Sequence, residues 1–303
     1  MSRIAWFLLF SLTAGLLAGC GADVDVFRPN RTMTAVFATQ GPPTLPPPQP
    51  PTSTLPPLPA ATLPPPTAAV TPPPAPSPLP PSAVQGRALV VASFRSSPLT
   101  LDGSWEEWTG RENACQIVVE GKQEWSDKND LRASFRSAWD FQYLYLAVKV
   151  HDDAYASNQA PEQIDQGDGV QILLDTDLAG DFGRDQLNHD DYVLGVSAGN
   201  PQVGENPAAY LWQPRSQTGA QAQVRIAAQR ILSDQDRGYY VEIAVPWELV
   251  AFKPQGGSLL GFALLVSDGD DSNRPQLQSR IANVPGVNHY DPTTWIDLEL
   301  ERP

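Results

Sequence analysis

The chain has 303 residues, with 34 Asp and Glu against 20 Lys and Arg and a formal net charge of −14. That balance excludes nucleic acid as a partner, because phosphate binding needs clustered cations, and it repels anionic lipid headgroups. Two cysteines and three histidines exclude a cysteine-rich zinc site.

At the start, Arg3 precedes an apolar run from Ile4 to Leu17 that closes on Leu17-Ala18-Gly19-Cys20. Charged, apolar and small-residue regions in that order form a secretory signal, and the run is short for a membrane span of roughly 20 residues. LAGC resembles the bacterial lipobox, in which cleavage leaves Cys20 as the acylated first residue. Residues 1–19 are therefore expected to be a lipoprotein signal peptide, Cys20 the lipidation site, and the rest an extracytoplasmic protein held to a membrane by its lipid.

From Gly41 to Pro81 the chain is almost entirely Pro, Thr, Ala, Leu and Ser, so most backbone donors are missing or lie beside a proline ring. Neither helix nor sheet is expected there. A polyproline II spacer of about 40 residues would reach roughly 120 Å. Residues 20–86 are read as a disordered, proline-rich tether.

Residues 87–303 then form one predicted domain, long enough for a sizeable core. In LRASFRSAW, Leu131, Ala133, Phe135 and Trp139 share one face, opposite Arg132, Ser134 and Arg136. In YLYLAVKVHDD, Leu144, Leu146, Val148 and Val150 oppose Tyr143, Tyr145, Lys149 and His151. This period of two predicts a hairpin turning at 140–142, with a core face and a wetter face. Further alternating runs recur at 117–119, 170–174, 192–196, 224–232, 239–245, 259–266 and 295–300, separated by Gly, Pro, Asn and Asp. Many short strands predict an all-β fold, an antiparallel β-sandwich of jelly-roll type. The only helical signal is one turn at Pro246-Trp247-Glu248-Leu249. With Cys20 acylated, Cys115 has no disulfide partner and is expected to be buried.

Five blocks in this domain carry a family resemblance: LDGSWEEW at 101–108, SAWDFQYLYLAVKVHDD at 137–153, GDGVQILLDTD at 167–177, GYYVEIAVPWELV at 238–250 and LLGFALLVSDGDD at 259–271. In this order they resemble the family 9 carbohydrate-binding modules and the wider group of sandwiches that includes DOMON domains. The resemblance implies a sandwich that binds the ends of polysaccharide or oligosaccharide chains, commonly with structural calcium. It also implies where two tryptophans would clamp a sugar ring, but Asp165 and His289 fall near those positions here. Val193 and Gly195 replace polar residues that would meet sugar hydroxyls, while Gln171 stands where the family carries a glutamate. A saccharide site then needs other residues: Trp125, Tyr155 and Tyr290 to stack, and Gln171 and Asn283 to bond hydroxyls.

DTDLAGDFGRDQLNHDD gathers Asp175, Asp177, Asp181, Asp185, Asp190 and Asp191 in one glycine-containing loop. These hard oxygen donors would suit a structural calcium ion, although the spacing is not that of an EF-hand. Asp268, Asp270 and Asp271 read as a strand-end turn. No HExxH or serine-elbow motif appears, so the domain is expected to be non-catalytic. The remaining alternatives are an interaction or spacer domain without sugar binding, a glycoside hydrolase whose two carboxylates sequence cannot single out, and a haem-binding DOMON-like domain with two histidine ligands.

Overall fold

Side-chain alternation in the 131–152 region places strands at the centre of one sheet, and the computed structural model shows the consequence for residues 89–157, 160–200, 204–233, 236–271 and 276–303. The predicted signal peptide, Cys20 and the tether lie outside the described residues. The strands are β1 (Leu89–Phe94), β2 (Asn113–Cys115), β3 (Ile117–Glu120), β4 (Leu131–Trp139), β5 (Tyr143–Asp152), β6 (Gly169–Asp175) and β7 (Asp191–Ser197). They continue as β8 (Ala208–Gln213), β9 (Gly219–Ala220), β10 (Arg225–Leu232), β11 (Arg237–Pro246), β12 (Leu259–Asp268), β13 (Ser279–Ala282) and β14 (Ile296–Leu300).

One layer runs β10-β11-β5-β4, with β2 on the free edge of β4. The other runs β14-β12-β6-β7-β8-β9, with β13 beside β12 and β3 outside β13. β1 joins the layers: its first residues pair in parallel with β14, Leu89 facing Asp297, and its last pair in parallel with β4, Phe94 facing Trp139. The β4–β5 hairpin forms as expected, Trp139 opposite Leu144. Its turn is set by Asp140, whose Oδ1 accepts the amides of Gln142 at 2.7 Å and Tyr143 at 2.8 Å. Pro246–Leu249 forms a turn, with the Leu249 amide donating to the Pro246 carbonyl at 3.0 Å.

Phe135, Leu146, Val148, Ile172, Leu174, Phe262 and Leu264 are almost fully buried in the main core. Each such side chain is worth roughly 1.5–3 kcal/mol of apolar burial. Cys115 is also buried, and desolvation pushes its thiol pKa up.

The expected wetter face of the hairpin is covered at one end. Tyr145, Ala147 and Ala138 pack with Trp108 and Ala244 in a second, small core, against Leu101 and Trp105. Glu242 of β11 holds this cover in place. Its buried carboxylate accepts the amides of Asp102 at 2.7 Å and Gly103 at 2.5 Å and the indole N–H of Trp108 at 2.7 Å. LDGSWEEW is thus a strap across the outside of the hairpin, turned at Gly103, whose φ of 80° suits glycine.

Candidate functional site

β8 places the central aromatic of the site. Its register against β7 slips between Val193 and Leu194, which face Gln213 and Leu211, so Trp212 is the extra residue of a β-bulge. Bulges of this kind re-aim a side chain, and here the indole lies across β7 where Gly195 has no side chain. A Cβ at Gly195 would sit 2.3 Å from the Trp212 ring. The indole N–H donates to the Glu162 carbonyl at 3.0 Å, in the short 3-10 segment Pro161–Gln166, kinked at Gln163.

Trp212 forms one wall of a cleft of about 450 Å³ lined also by Glu120, Asp165, Gln171, Val193, Gln213, Arg280, His289 and Tyr290. Gln171 of β6 is 1% exposed. Its Oε1 lies 2.5 Å from His289 Nε2, so that nitrogen carries the proton, while Gln171 Nε2 has no partner among the described residues. Arg280 of β13 is also buried. It pairs through Nη1 with Glu120 at 2.5 Å and donates through Nη2 to the Asp165 carbonyl at 3.2 Å, leaving Nε without a partner among the described residues. Buried polar groups normally find partners, and these two donors, on residues that line the cleft, have none among the described residues.

The 288–295 loop presents His289 and Tyr290. Asn288 accepts the Tyr290 amide through its side chain at 3.0 Å and the Trp295 indole through its carbonyl at 2.9 Å, and Asp291 caps the following turn through the Thr293 amide at 3.0 Å. Tyr290 is 68% exposed and offers an open ring face. Burial, and then the adjacent Arg280 charge, pull the His289 pKa down to about 4. Its ordinary value is about 6.5, so between those limits the unfolded chain binds a proton that the fold excludes. This contribution is complete above about 6.5 and is lost as pH falls through about 4. The melting-temperature advantage of the wild type over His289→Gln is therefore expected to shrink between pH about 7 and about 4. A pH-independent difference would show that His289 stays uncharged in neither state preferentially.

Of the residues expected to bind sugar, Gln171 and Tyr290 meet in this cleft, and the other three are engaged elsewhere. The Trp125 indole donates to the Leu131 carbonyl at 3.0 Å, pinning its own loop. The Tyr155 hydroxyl donates to the Gly199 carbonyl at 3.0 Å, with the ring edge-on to Tyr239 and under Arg230. Asn283 prolongs the β12–β13 pairing, its Oδ1 accepting the Leu264 amide at 2.9 Å. Backbone bonding engages the Trp125 indole, the Tyr155 hydroxyl and Asn283 Oδ1, while Asn283 Nδ2 is buried without a partner among the described residues. Trp212 and Arg280 were not among the expected residues. The alternation of Tyr210 and Trp212 with buried Ala209 and Leu211, between Pro207 and Pro214, is the signal that marks β8.

In the acidic loop, oxygens of Asp175, Asp181 and Asp190 lie within 4.8 Å of one another. Asp177, Asp185 and Asp191 are not part of that trio. The Asp177 carboxylate turns toward Gly180, Asp185 is exposed, and Asp191 Oδ2 accepts the Asn188 amide at 2.8 Å. Asp190 Oδ2 and Asp191 Oδ1 are buried without partners among the described residues. Burial, with the neighbouring Asp191 and Asp181 charges, pushes the Asp175 pKa up to about 8, and burial pushes Asp191 up to about 6. Orphaned, mutually repelling hard oxygens fit a calcium-sized cation.

Residues 100–302 match the family described as carbohydrate family 9 binding domain-like, and the chain belongs to it. The domain is accordingly of the non-catalytic, carbohydrate-binding type. Two solved family 9 carbohydrate-binding modules from Caldicellulosiruptor kristjanssonii share the fold. The one in complex with cellotriose is 22% identical with a TM-score of 0.52, over 71% of this chain and 95% of its own. The one in complex with glucose is 21% identical with a TM-score of 0.50, over 71% and 97%. No curated protein is significantly similar to the chain.

Proposed function

We propose that this member of the carbohydrate family 9 binding domain-like family is a surface-tethered, non-catalytic saccharide-binding protein whose ligand enters the Trp212 cleft. The observation that carries the reading is the Trp212 indole lying over Gly195 beside the unpaired, buried amide of Gln171. An aromatic plane packs against the apolar face of a pyranose, and inward-facing donors then fix its hydroxyls. Glu120 and Asp165 supply acceptors, and their negative charge is offset in part by Arg280. A glycan panel that includes glucose and cellotriose, run in parallel with a hydrolysis assay on the same panel, tests this. Binding without turnover supports it; turnover favours a glycosidase, and neither result favours an interaction or spacer domain.

The lipobox-like LAGC and the proline-rich run support an extracytoplasmic position, with Cys20 as membrane anchor and residues 20–86 as spacer. Fatty-acid labelling of the expressed chain is expected to be lost in Cys20→Ala, and persistent labelling would remove the anchor.

Calcium is proposed at Asp175, Asp181 and Asp190, where it would neutralise the loop between β6 and β7. A cation bound only by the folded state stabilises it by about 2.7 kcal/mol at a hundredfold excess over its dissociation constant. The melting temperature is expected to fall on chelation, and the fall to be smaller in Asp190→Asn. An unchanged fall in that variant would show that the loop holds no ion.

A further inference from the structure

The Trp212 cleft carries its charges in two tiers. Arg280 lies underneath, its side chain 7% exposed, while the carboxylates that pair with it are the more exposed, Glu120 at 54% and Asp165 at 34%. Glu120 stands opposite Arg280 in the register of β3, the outermost strand, against β13. Asp165 comes from the 3-10 segment Pro161–Gln166, its Oδ2 3.9 Å from Arg280 Nη2. Two carboxylates against one guanidinium leave one net negative charge, and it sits on the outer tier. His289 does not offset it near neutral pH, because burial and the Arg280 charge hold its pKa down at about 4. The deeper tier has the opposite need. Gln171 Nε2 and Arg280 Nε are buried donors without partners among the described residues, and sugar hydroxyl oxygens would suit them. Beside both tiers, the Trp212 ring attracts the apolar face of a pyranose and a cation alike.

We propose that the cleft selects amino sugars, pyranoses that bear a primary ammonium, with the ammonium drawn to Glu120 and Asp165 and the hydroxyls to Gln171 and Arg280. This rests on the reading of the cleft as a saccharide site and names its ligand class. A uronate would set its own carboxylate against Glu120 and Asp165, and that repulsion discriminates against it. A neutral sugar satisfies the inner donors but leaves the outer charge uncompensated. An N-acetylated amino sugar keeps the ring and loses the positive charge. A lysine side chain has the opposite fault: it answers the carboxylates, but it has no acceptor for the buried donors, which stay unsatisfied at a cost. Only a ring that carries hydroxyls and an ammonium together meets both tiers.

The test is titration calorimetry of the full chain at pH about 6, where a sugar amine is protonated. The probes are a β-1,4-linked glucosamine trimer, its N-acetylated form, cellotriose, trigalacturonate and trilysine. The glucosamine trimer is expected to bind at least about tenfold more tightly than cellotriose or the N-acetylated form, the low end for a hydrogen bond to a charged group. Trigalacturonate is expected to bind most weakly of the sugars. The preference for the amine should fade as the pH rises to about 9 and the ammonium loses its proton, a range in which His289 is already neutral. Glu120→Gln, which leaves Asp165 to pair with Arg280, is expected to bring the preference toward unity. Equal affinity of the wild type for the glucosamine and N-acetylglucosamine trimers, a reading that needs no variant to fold, would overturn the inference. So would trilysine binding as tightly as the glucosamine trimer, or a full preference that survives Glu120→Gln with Asp165→Asn. Trp212-dependent binding of cellotriose with no preference for the amine would overturn it and leave the saccharide reading standing, whereas binding of none of the sugars would overturn both.

Discussion

Trp212→Ala is expected to reduce saccharide affinity by roughly 30- to 150-fold, equivalent to about 2–3 kcal/mol. The indole is the one aromatic plane that the fold aims across the cleft floor, and its removal leaves Gln171 and Arg280 with donors but no surface to align a ring against them. Gly195→Ala isolates the geometry from the chemistry: the indole stays in the chain, but a Cβ 2.3 Å from the ring must push it off β7. Both variants should lose binding of whichever panel sugar the wild type holds, measured by titration calorimetry, while Tyr290→Ala, at an exposed rim, should lose less. Full affinity in Trp212→Ala would place the ligand outside this cleft.

Glu242→Leu is expected to destabilise the domain by about 3–5 kcal/mol, because three N–H donors, two of them buried, lose a charged acceptor at once. At roughly 2–4 °C per kcal/mol for a domain of this size, the melting temperature should fall by roughly 10 °C. The strap over Trp108 and Tyr145 should loosen first, seen as proteolysis near 101–108. Glu242, Asp102 and Glu107 also form an acidic group close enough for an ion, but the Glu242 oxygens are already filled by N–H donors. A drop of a degree or two would mean the strap holds without its carboxylate.

How much was legible follows from period and distance along the chain. The β4–β5 hairpin and the strands β6, β7, β10, β11, β12 and β14 declare themselves by apolar runs between turn residues, because at least one face of each must meet the core. The burial of Tyr145 and Ala147 on the second face was not legible, since it depends on Glu242 catching a strap some 140 residues earlier in the chain. β8 escaped because Tyr210 and Trp212 alternate with Ala209 and Leu211, so no polar face marks it, and with it escaped Trp212, whose direction comes from a bulge that no pattern of apolar residues encodes. Gln171 and Tyr290 were reachable as residue types suited to sugar. Trp125, Tyr155 and Asn283 were equally suited, and only the structure shows the Trp125 indole, the Tyr155 hydroxyl and the Asn283 carbonyl oxygen already bonded to backbone. The acidic loop reads as one cluster in sequence, but a loop has two sides, and only Asp175, Asp181 and Asp190 face the same point.

β1 spans both layers, and the chain before Leu89 enters the fold through it. Tension arriving from that side while the cleft grips an immobile glycan would run along the strand axis. It would strain the β14 and β4 ladders together in shear, in addition to the clasp in which the Glu301 amide donates to the Ala92 carbonyl at 3.0 Å. Bonds strained in parallel must fail together, whereas those of a peeled edge strand fail one after another. The domain is thus wired to resist pulling from its N-terminal side.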